Sequence, residues 1–276
     1  MTAYYREKYI AEAIESVLAS TYTNFELIIV DDCSKDNTVT IAKYYEEKDK
    51  RIKVYVNEKN LGDYPNRNRA ASFAKGEFII YVDSDDKTLK NGIENCVNTI
   101  SQFPNANFGM YAPDTDTAPF ILDSSVALRK HFFEKPFLMI GPGGTIIRRS
   151  FFEEISGYPE IYGPANDLYF NLKATCHSSI VMLPFEFLCY RRHEGQEINN
   201  SYGYLINNYR YLKDALAQLP LQLNQGQIEW LRKKNKRRFL VNVIKYFIKT
   251  KSIKRTREVL KKTGFGVQDV LVGIFH

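Results

Sequence analysis

The chain has 276 residues, 44% hydrophobic and 25% charged, with a net charge of +6. That length suits one large α/β domain with an appendage, and the balance of residues excludes a disordered or fibrous protein. No apolar run approaches the ~18–20 residues of a membrane-spanning helix; "FLVNVIKYFI" is too short, so the chain is not expected to span a membrane by itself.

In chain order, "REKYIAEAIESVLAS" places Tyr9, Ile10, Ala13, Ile14, Val17 and Leu18 at helical spacing. "FELIIVDD" reads as a buried strand ending in Asp31 and Asp32, and "SKDNTVTIAKYYEEK" as a polar turn and second helix. "IKVYVNE" is a short strand, and "NRNRAASFAKG" a third helix closed by Gly76. The strand "GEFIIYVDSDD" follows. This alternation predicts a doubly wound, largely parallel sheet, and both carboxylate clusters fall at strand C-termini, where such sheets bind ligands.

The second half is less regular. "FLMIGPGGTIIRRSFFEEISGY" has a glycine-rich turn followed by a strand and helix, and "GPANDLYFNLKA" leads into another helix. "SIVMLPFEFLCYRRHEG" reads as strands ending in a basic loop, and helices are expected at 202–218, 225–249 and 253–262. Residues 204–276 hold 16 Lys and Arg against 4 Asp and Glu, a net +12, on a body of net −6. Such a tail suits an anionic partner, a membrane surface or nucleic acid, although no nucleic-acid module accompanies it and none is expected as a partner. The four cysteines (Cys33, Cys96, Cys176, Cys189) form no C-x-x-C pair and read as reduced thiols, which suits a cytoplasmic protein.

Asp83-Ser84-Asp85-Asp86 admits three chemistries. Two carboxylates flanking one residue can hold Mg²⁺ or Mn²⁺ against a diphosphate, which gains charge when a nucleotide-sugar bond breaks. Asp83 could instead be a phosphatase nucleophile of the D-x-D-x-T/V kind, but Lys87 stands where that pattern needs a hydroxyl or β-branched residue. The cluster could also be an acidic turn that caps a helix.

Taken together, "MTAYYREKYIAEAIESVLASTYTNFELIIVDDCSKDNT" and "NLGDYPNRNRAASFAKGEFIIYVDSDD" closely resemble the nucleotide-binding half of family 2 glycosyltransferases. The resemblance is strong to about residue 95 and looser to about 200. It implies a GT-A fold: α/β, with a doubly wound, mostly parallel central sheet flanked by helices and a C-terminal helical appendage. Residues 1–200 would be the GT-A domain, with a nucleotide half to about 95 and an acceptor-side half over 96–200. Residues 201–276 would form a basic helical region.

The same resemblance implies site roles. Thr2-Ala3-Tyr4 matches the turn flanking uracil, and Asp31 the carboxylate that hydrogen-bonds the uracil imide. Arg67 and Asn68 match a segment on the nucleotide side, although Arg67 also reads as a solvated helix charge. Asp83, with Ser84, reaches the ribose or sugar side; Asp85, with Asp83, holds the divalent cation. "YRRHEGQEINNS" matches a loop in which His193 completes metal or diphosphate contacts with Arg191 or Arg192. Asp167 matches the general base, with Asn166 where Glu is common on the acceptor side; helix capping is the other reading of Asp167. Gly143 and Gly144 would let the backbone approach the sugar.

The implied activity is an inverting, metal-dependent transfer from a nucleotide-sugar, UDP-linked, to a saccharide or lipid-linked saccharide acceptor of the cell surface. The basic tail would touch the inner face of the cytoplasmic membrane. A non-catalytic nucleotide-binding protein of the same fold is the alternative outside catalysis. One departure stands out: the family's first strand, "VSVIIPTYN"-like, would precede Met1. Either upstream residues are omitted or another segment fills that central slot, because unpaired backbone there would be costly.

Overall fold

The computed structural model describes residues 1–112, 118–193 and 200–275. Its first half alternates strand and helix as the apolar periodicity predicts: β1 (Thr2–Ala3), α1 (Ile10–Leu18), β2 (Leu27–Asp31), α2 (Thr38–Lys48), β3 (Ile52–Val56), α3 (Asp63–Ser72) and β4 (Phe78–Ile80). Every residue of β2 is buried, which explains why "LIIVD" is a continuous apolar run rather than an alternating one. α1 turns Ile10, Ala13, Ile14 and Val17 into the core and leaves Glu12 and Glu15 outside.

Strands β1, β2 and β3 pair in parallel, in that order. On its other side β1 touches the chain just after β4 through a parallel bridge between Thr2 and Asp83. A second sheet runs β4-β8-β6-β9-β7, with β6 (Phe108–Tyr111), β7 (Phe120–Leu122), β8 (Thr145–Arg148) and β9 (Ile180–Leu183). Here β6 and β9 are parallel and the remaining pairs antiparallel. The Thr2 bridge joins the two sheets into one central layer.

The slot expected for a first strand is partly filled. Residues 1–3 lie beside β2: the Met1 amino group donates to Ile28 O at 2.8 Å, Val30 N to Met1 O at 3.0 Å and Asp32 N to Ala3 O at 2.8 Å. Beyond Met1 the layer opens into a cavity of about 640 Å³ between β2 and β4, lined by Leu27, Ile28, Ile79, Ile80 and Tyr81 among others. No other described segment pairs with β2 there.

Helices α4 (Gly92–Ser101), α5 (Ser124–Phe133), α6 (Arg149–Glu154) and α7 (Asn166–His177) flank the second sheet. A two-stranded ribbon pairs β5 (Lys87–Thr88) with β10 (Leu188–Cys189). The C-terminal region folds as α8 (Ser201–Gln218), α9 (Gln225–Thr250), α10 (Ile253–Thr263) and α11 (Val267–Phe275), the last beyond the helices expected from sequence. α8 buries Tyr211, Leu212, Ala215 and Leu216 in the same apolar core as β6 and α7. Among the described residues no helix is long and apolar enough to cross a membrane.

Candidate active site

The turn after β2 explains its two aspartates. Asp31 is fully buried, and its carboxylate accepts from Ser34 N at 2.8 Å and Ser34 Oγ at 2.6 Å. Burial raises its pKa against those two bonds. Cys33 takes a left-handed φ of 69°, which lets the chain reverse immediately. Asp32 instead accepts from Asn57 Nδ2, Leu61 N and Gly62 N, at 2.7, 2.8 and 2.9 Å. It thereby pins residues 57–62, the approach to α3. Gly62, at φ 92°, makes the turn into that helix, a conformation that Cβ-bearing residues avoid.

One turn of α3 then presents Asp63 and Arg67 together. Arg67 Nε lies 2.8 Å from Asp63 Oδ1, and Arg67 Nη1 lies 2.6 Å from Asp83 Oδ1. Its side chain is only 8% exposed and sits near the Tyr64 and Tyr81 rings. Burial alone would lower its pKa, but the Asp63 and Asp83 carboxylates hold it well above the ordinary arginine value. Arg67 is therefore a fixed buried cation, not a solvated charge. Asp63 is half exposed toward the cleft, yet protein crowds it enough that burial raises its pKa.

Residues 83–86 turn tightly, with Asp86 N donating to Asp83 O at 3.0 Å. Ser84, Asp85 and Asp86 are all buried. Asp85 Oδ2 meets Arg6 Nε at 3.1 Å and His193 Nε2 at 2.9 Å, and the His193 ring stacks on Tyr9 at 4.8 Å. The β5–β10 ribbon brings residues 190–193 here, and Asp86 Oδ1 accepts from Arg191 N at 2.9 Å to hold them. Burial pushes Asp86 up to about 6 against that hydrogen bond, with the Asp83 and Asp85 charges adding.

Asp167 enters from the other half of the chain, in the first turn of α7. Its Oδ1 accepts from Leu168 N at 2.8 Å, and burial raises its pKa to about 7 against that bond and the field of Arg67. A Cβ on Gly141 would stand 3.7 Å from Asp167 Oδ2, so glycine keeps that wall of the site thin.

Several expected residues make their contacts within the protein. Asn166 is buried; it accepts from Tyr162 N at 2.9 Å and donates to Gly163 O at 2.8 Å, shaping its own turn rather than facing an acceptor. Asn68 donates to Tyr158 O at 2.9 Å and accepts from Tyr158 N at 3.0 Å, so its amide ties α3 to residues 158–160 rather than to a nucleotide. A Cβ on Gly143 would stand 2.9 Å from Leu188 Cδ1, and one on Gly144 2.2 Å from Ile140 Cγ2; both glycines serve tight packing. Asp31 is closed off from the cleft by the Ser34 turn, while Tyr4 beside it is exposed. Conversely Arg6, Tyr9, Asp63 and Gly141 border the site without having been given a site role from the sequence, and Asp86 was named there only as part of the carboxylate cluster.

Asp85 and His193 fit a divalent cation. Two ligands at ~2.1 Å and right angles are separated by ~3 Å, close to the spacing of Asp85 Oδ2 and His193 Nε2. Among the described residues no three His, Cys, Asp or Glu side chains converge as a metal site, so diphosphate oxygens and water would supply the remaining positions.

Comparison with known proteins adds four findings. The family model described as glycosyl transferase family 2 matches residues 1–156. The chain is 30% identical to the Escherichia coli UDP-Glc:alpha-D-GlcNAc-diphosphoundecaprenol beta-1,3-glucosyltransferase WfgD, over 81% of this chain and 89% of WfgD. It is 41% identical to TuaG of Bacillus subtilis strain 168, named for teichuronic acid biosynthesis, over 33% of this chain; the match spans only 36% of TuaG's length. The crystal structure of S. aureus TarS 1-349 in complex with UDP-GlcNAc superimposes with a TM-score of 0.75 over 98% of this chain and 80% of that one. At 22% identity that likeness shows the fold alone.

Proposed function

The chain belongs to glycosyltransferase family 2, and on that premise we propose that it is an inverting, metal-dependent enzyme. It would move a sugar from a UDP-linked donor to a hydroxyl of a saccharide or lipid-linked saccharide, in the assembly of cell-surface polysaccharide or glycoconjugate. The observation that carries this reading is the strand-end cluster itself: Asp85 meets His193 at 2.9 Å, and Asp83 is held by the Arg67 guanidinium, whose field also reaches Asp167.

A general base works best with a pKa near the ambient pH. With Asp167 Oδ1 engaged by Leu168 N, Oδ2, on the Gly141 side, takes the proton from the attacking hydroxyl. A single base opposite the leaving group, with no covalent intermediate, gives inversion. Arg67 fixes Asp83 for the ribose or sugar side, and exposed Tyr4 offers a ring beside the uracil turn of Thr2 and Ala3. Asp86 and Tyr9 hold His193 against Asp85. A divalent cation, Mn²⁺ or Mg²⁺, held by Asp85 and His193 would supply positive charge to the departing diphosphate.

WfgD supports the choice of substrates, since its name specifies a UDP-linked donor and a diphosphoundecaprenol-linked acceptor. A lipid-linked acceptor suits an enzyme working at the inner face of the cytoplasmic membrane. Calorimetric titration of UDP, with and without Mn²⁺, into the wild-type chain and Asp85→Asn tests the reading. Metal-dependent binding that the variant loses is expected. UDP binding that ignores Mn²⁺, or survives Asp85→Asn unchanged, overturns the metal assignment; silence toward UDP, GDP and dTDP overturns the donor.

A further inference from the structure

The exposed apolar residues of this chain concentrate at its basic end. Val241, Ile244 and Ile248 of α9 are 43%, 49% and 65% exposed, and Val267, Leu271 and Ile274 of α11 are 78%, 51% and 60% exposed. The α9 residues are spaced i, i+3, i+7 and those of α11 i, i+4, i+7, so each set forms one stripe along its helix. Trp230, the chain's single tryptophan, is 47% exposed and lies eleven residues before Val241, on the same stripe. α11 packs directly on α9: a Cβ on Gly273 would stand 3.0 Å from Leu240 Cδ2 and 3.6 Å from Arg237 Cα. The close crossing sets the two helices side by side, and the Lys236–Asp269 ion pair at 2.9 Å locks them.

Charge frames this surface. From Trp230 to Arg257 there are twelve Lys and Arg and no Asp or Glu. Lys234, Arg237, Lys245, Lys249, Lys251 and Lys254 are all exposed among or beside the apolar residues. The inner face of α9 is already used: Leu231, Phe239 and Val243 are buried, Phe239 and Val243 in a cluster with Tyr209, Val259 and Phe265. The outward stripe is thus additional to what the fold requires.

We propose that this outward face of α9 and α11 docks the protein on an anionic lipid surface, an inference that rests on the lipid-linked acceptor of the proposed function. Isoleucines, valines and leucine enter the head-group boundary, and lysine and arginine stems reach outward to lipid phosphates. A second copy of the chain is the poorer occupant. Two such faces would bring together the six exposed basic residues named above from each copy, twelve like charges, with no carboxylate from the 230–257 stretch to offset them. Docking would hold the enzyme where a lipid-borne acceptor is presented, while Asp83, Asp85 and Asp167 lie on other elements and need not change.

The full chain is tested by co-sedimentation with phosphatidylcholine vesicles, with and without phosphatidylglycerol. Binding is expected only with the anionic lipid, weakened but not abolished by high salt, with a blue shift of Trp230 fluorescence. Ile244→Asp with Ile248→Asp, and separately Leu271→Asp, should each weaken vesicle binding roughly tenfold or more. Their far-UV circular dichroism and UDP titrations should match wild type, because these side chains lie outside the core and the site. Absence of wild-type binding to anionic vesicles, or variants that bind as wild type does, overturns the proposal. Self-association by sedimentation equilibrium that the variants abolish, without vesicle binding, would assign the face to a second copy. UDP binding reports separately on the transferase reading, so the two can fail independently.

Discussion

Arg67 Nη1 lies 2.6 Å from Asp83 Oδ1, joining α3 to the end of β4 across 16 residues of chain. The same guanidinium holds Asp63. A buried cation between two carboxylates, each facing the cleft in part, sets the position of the first aspartate in the strand-end cluster. Removing one partner of such a pair costs more than the pair contributes, since the charge left behind is poorly solvated.

Arg67→Ala should therefore destabilise the fold by about 2–3 kcal/mol, below the cost for a fully dry pair because Asp63 and Asp83 keep some solvent. Arg67→Lys should fold nearly as well yet bind UDP poorly, because an ammonium cannot bridge both carboxylates with a planar fork. Urea unfolding and calorimetry separate the two effects. An alanine variant with an unchanged midpoint and unchanged UDP affinity would remove Arg67 from the site.

Asp167 makes a prediction in pH. As the base it must be ionised, so kcat/KM should rise with pH and level off above about 7. Stability moves the other way. The folded state keeps a proton on Asp167 up to about 7 that the unfolded chain, with an ordinary value of 3.8, has already released. Between those two pH values the folded state binds more protons, and stability falls as pH rises. Asp167→Asn removes the burden: its stability advantage over wild type should grow from pH 4 to 7 and then stay constant, while turnover is lost. Asp86 titrates in the same direction near 6, so the difference between variant and wild type is the quantity to follow. An advantage that is flat over this range would mean that Asp167 is an ordinary solvated carboxylate.

How much of this could be read from sequence depended on range. β2 is buried on both faces and α1 on one, so local periodicity exposed both. The D-S-D-D stretch is contiguous, and its place at a strand end followed from the apolar run before it. Arg6 and Asp63 were out of reach for opposite reasons. Arg6 meets Asp85 across 79 residues, with nothing local to mark it. Asp63 looks like an ordinary acidic residue in a helix's first turn, favoured there by the dipole alone. Asn68 and Asn166 matched a pattern, but a pattern does not say where a side-chain amide points. Asn166 bonds to backbone three residues away, and Asn68 to Tyr158 O and Glu160 Oε1, 90 and 92 residues on. Gly143 and Gly144 are ambiguous in a similar way, since a glycine required by Leu188 or Ile140 reads the same in sequence as one required by a sugar.

The Arg6–Asp85 pair yields the last prediction. Arg6 Nε stands 3.1 Å from Asp85 Oδ2, the oxygen that also meets His193. A divalent cation bound there must displace the guanidinium, because the positive charges compete for one carboxylate oxygen. Arg6 is partly exposed, so it can swing out, and a diphosphate would give it a new partner. Arg6 would then link cation entry to nucleotide arrival: it holds Asp85 in this structure, and a bound diphosphate would draw it away. Arg6→Gln should bind Mn²⁺ more tightly than wild type in the absence of UDP, by roughly threefold to tenfold, because a neutral amide no longer competes. The same variant should show less gain in Mn²⁺ affinity when UDP is added. Calorimetry or electron paramagnetic resonance of free Mn²⁺ measures both quantities. If Arg6→Gln leaves the Mn²⁺ affinity unchanged with and without UDP, Arg6 is a surface ion pair without a part in the site.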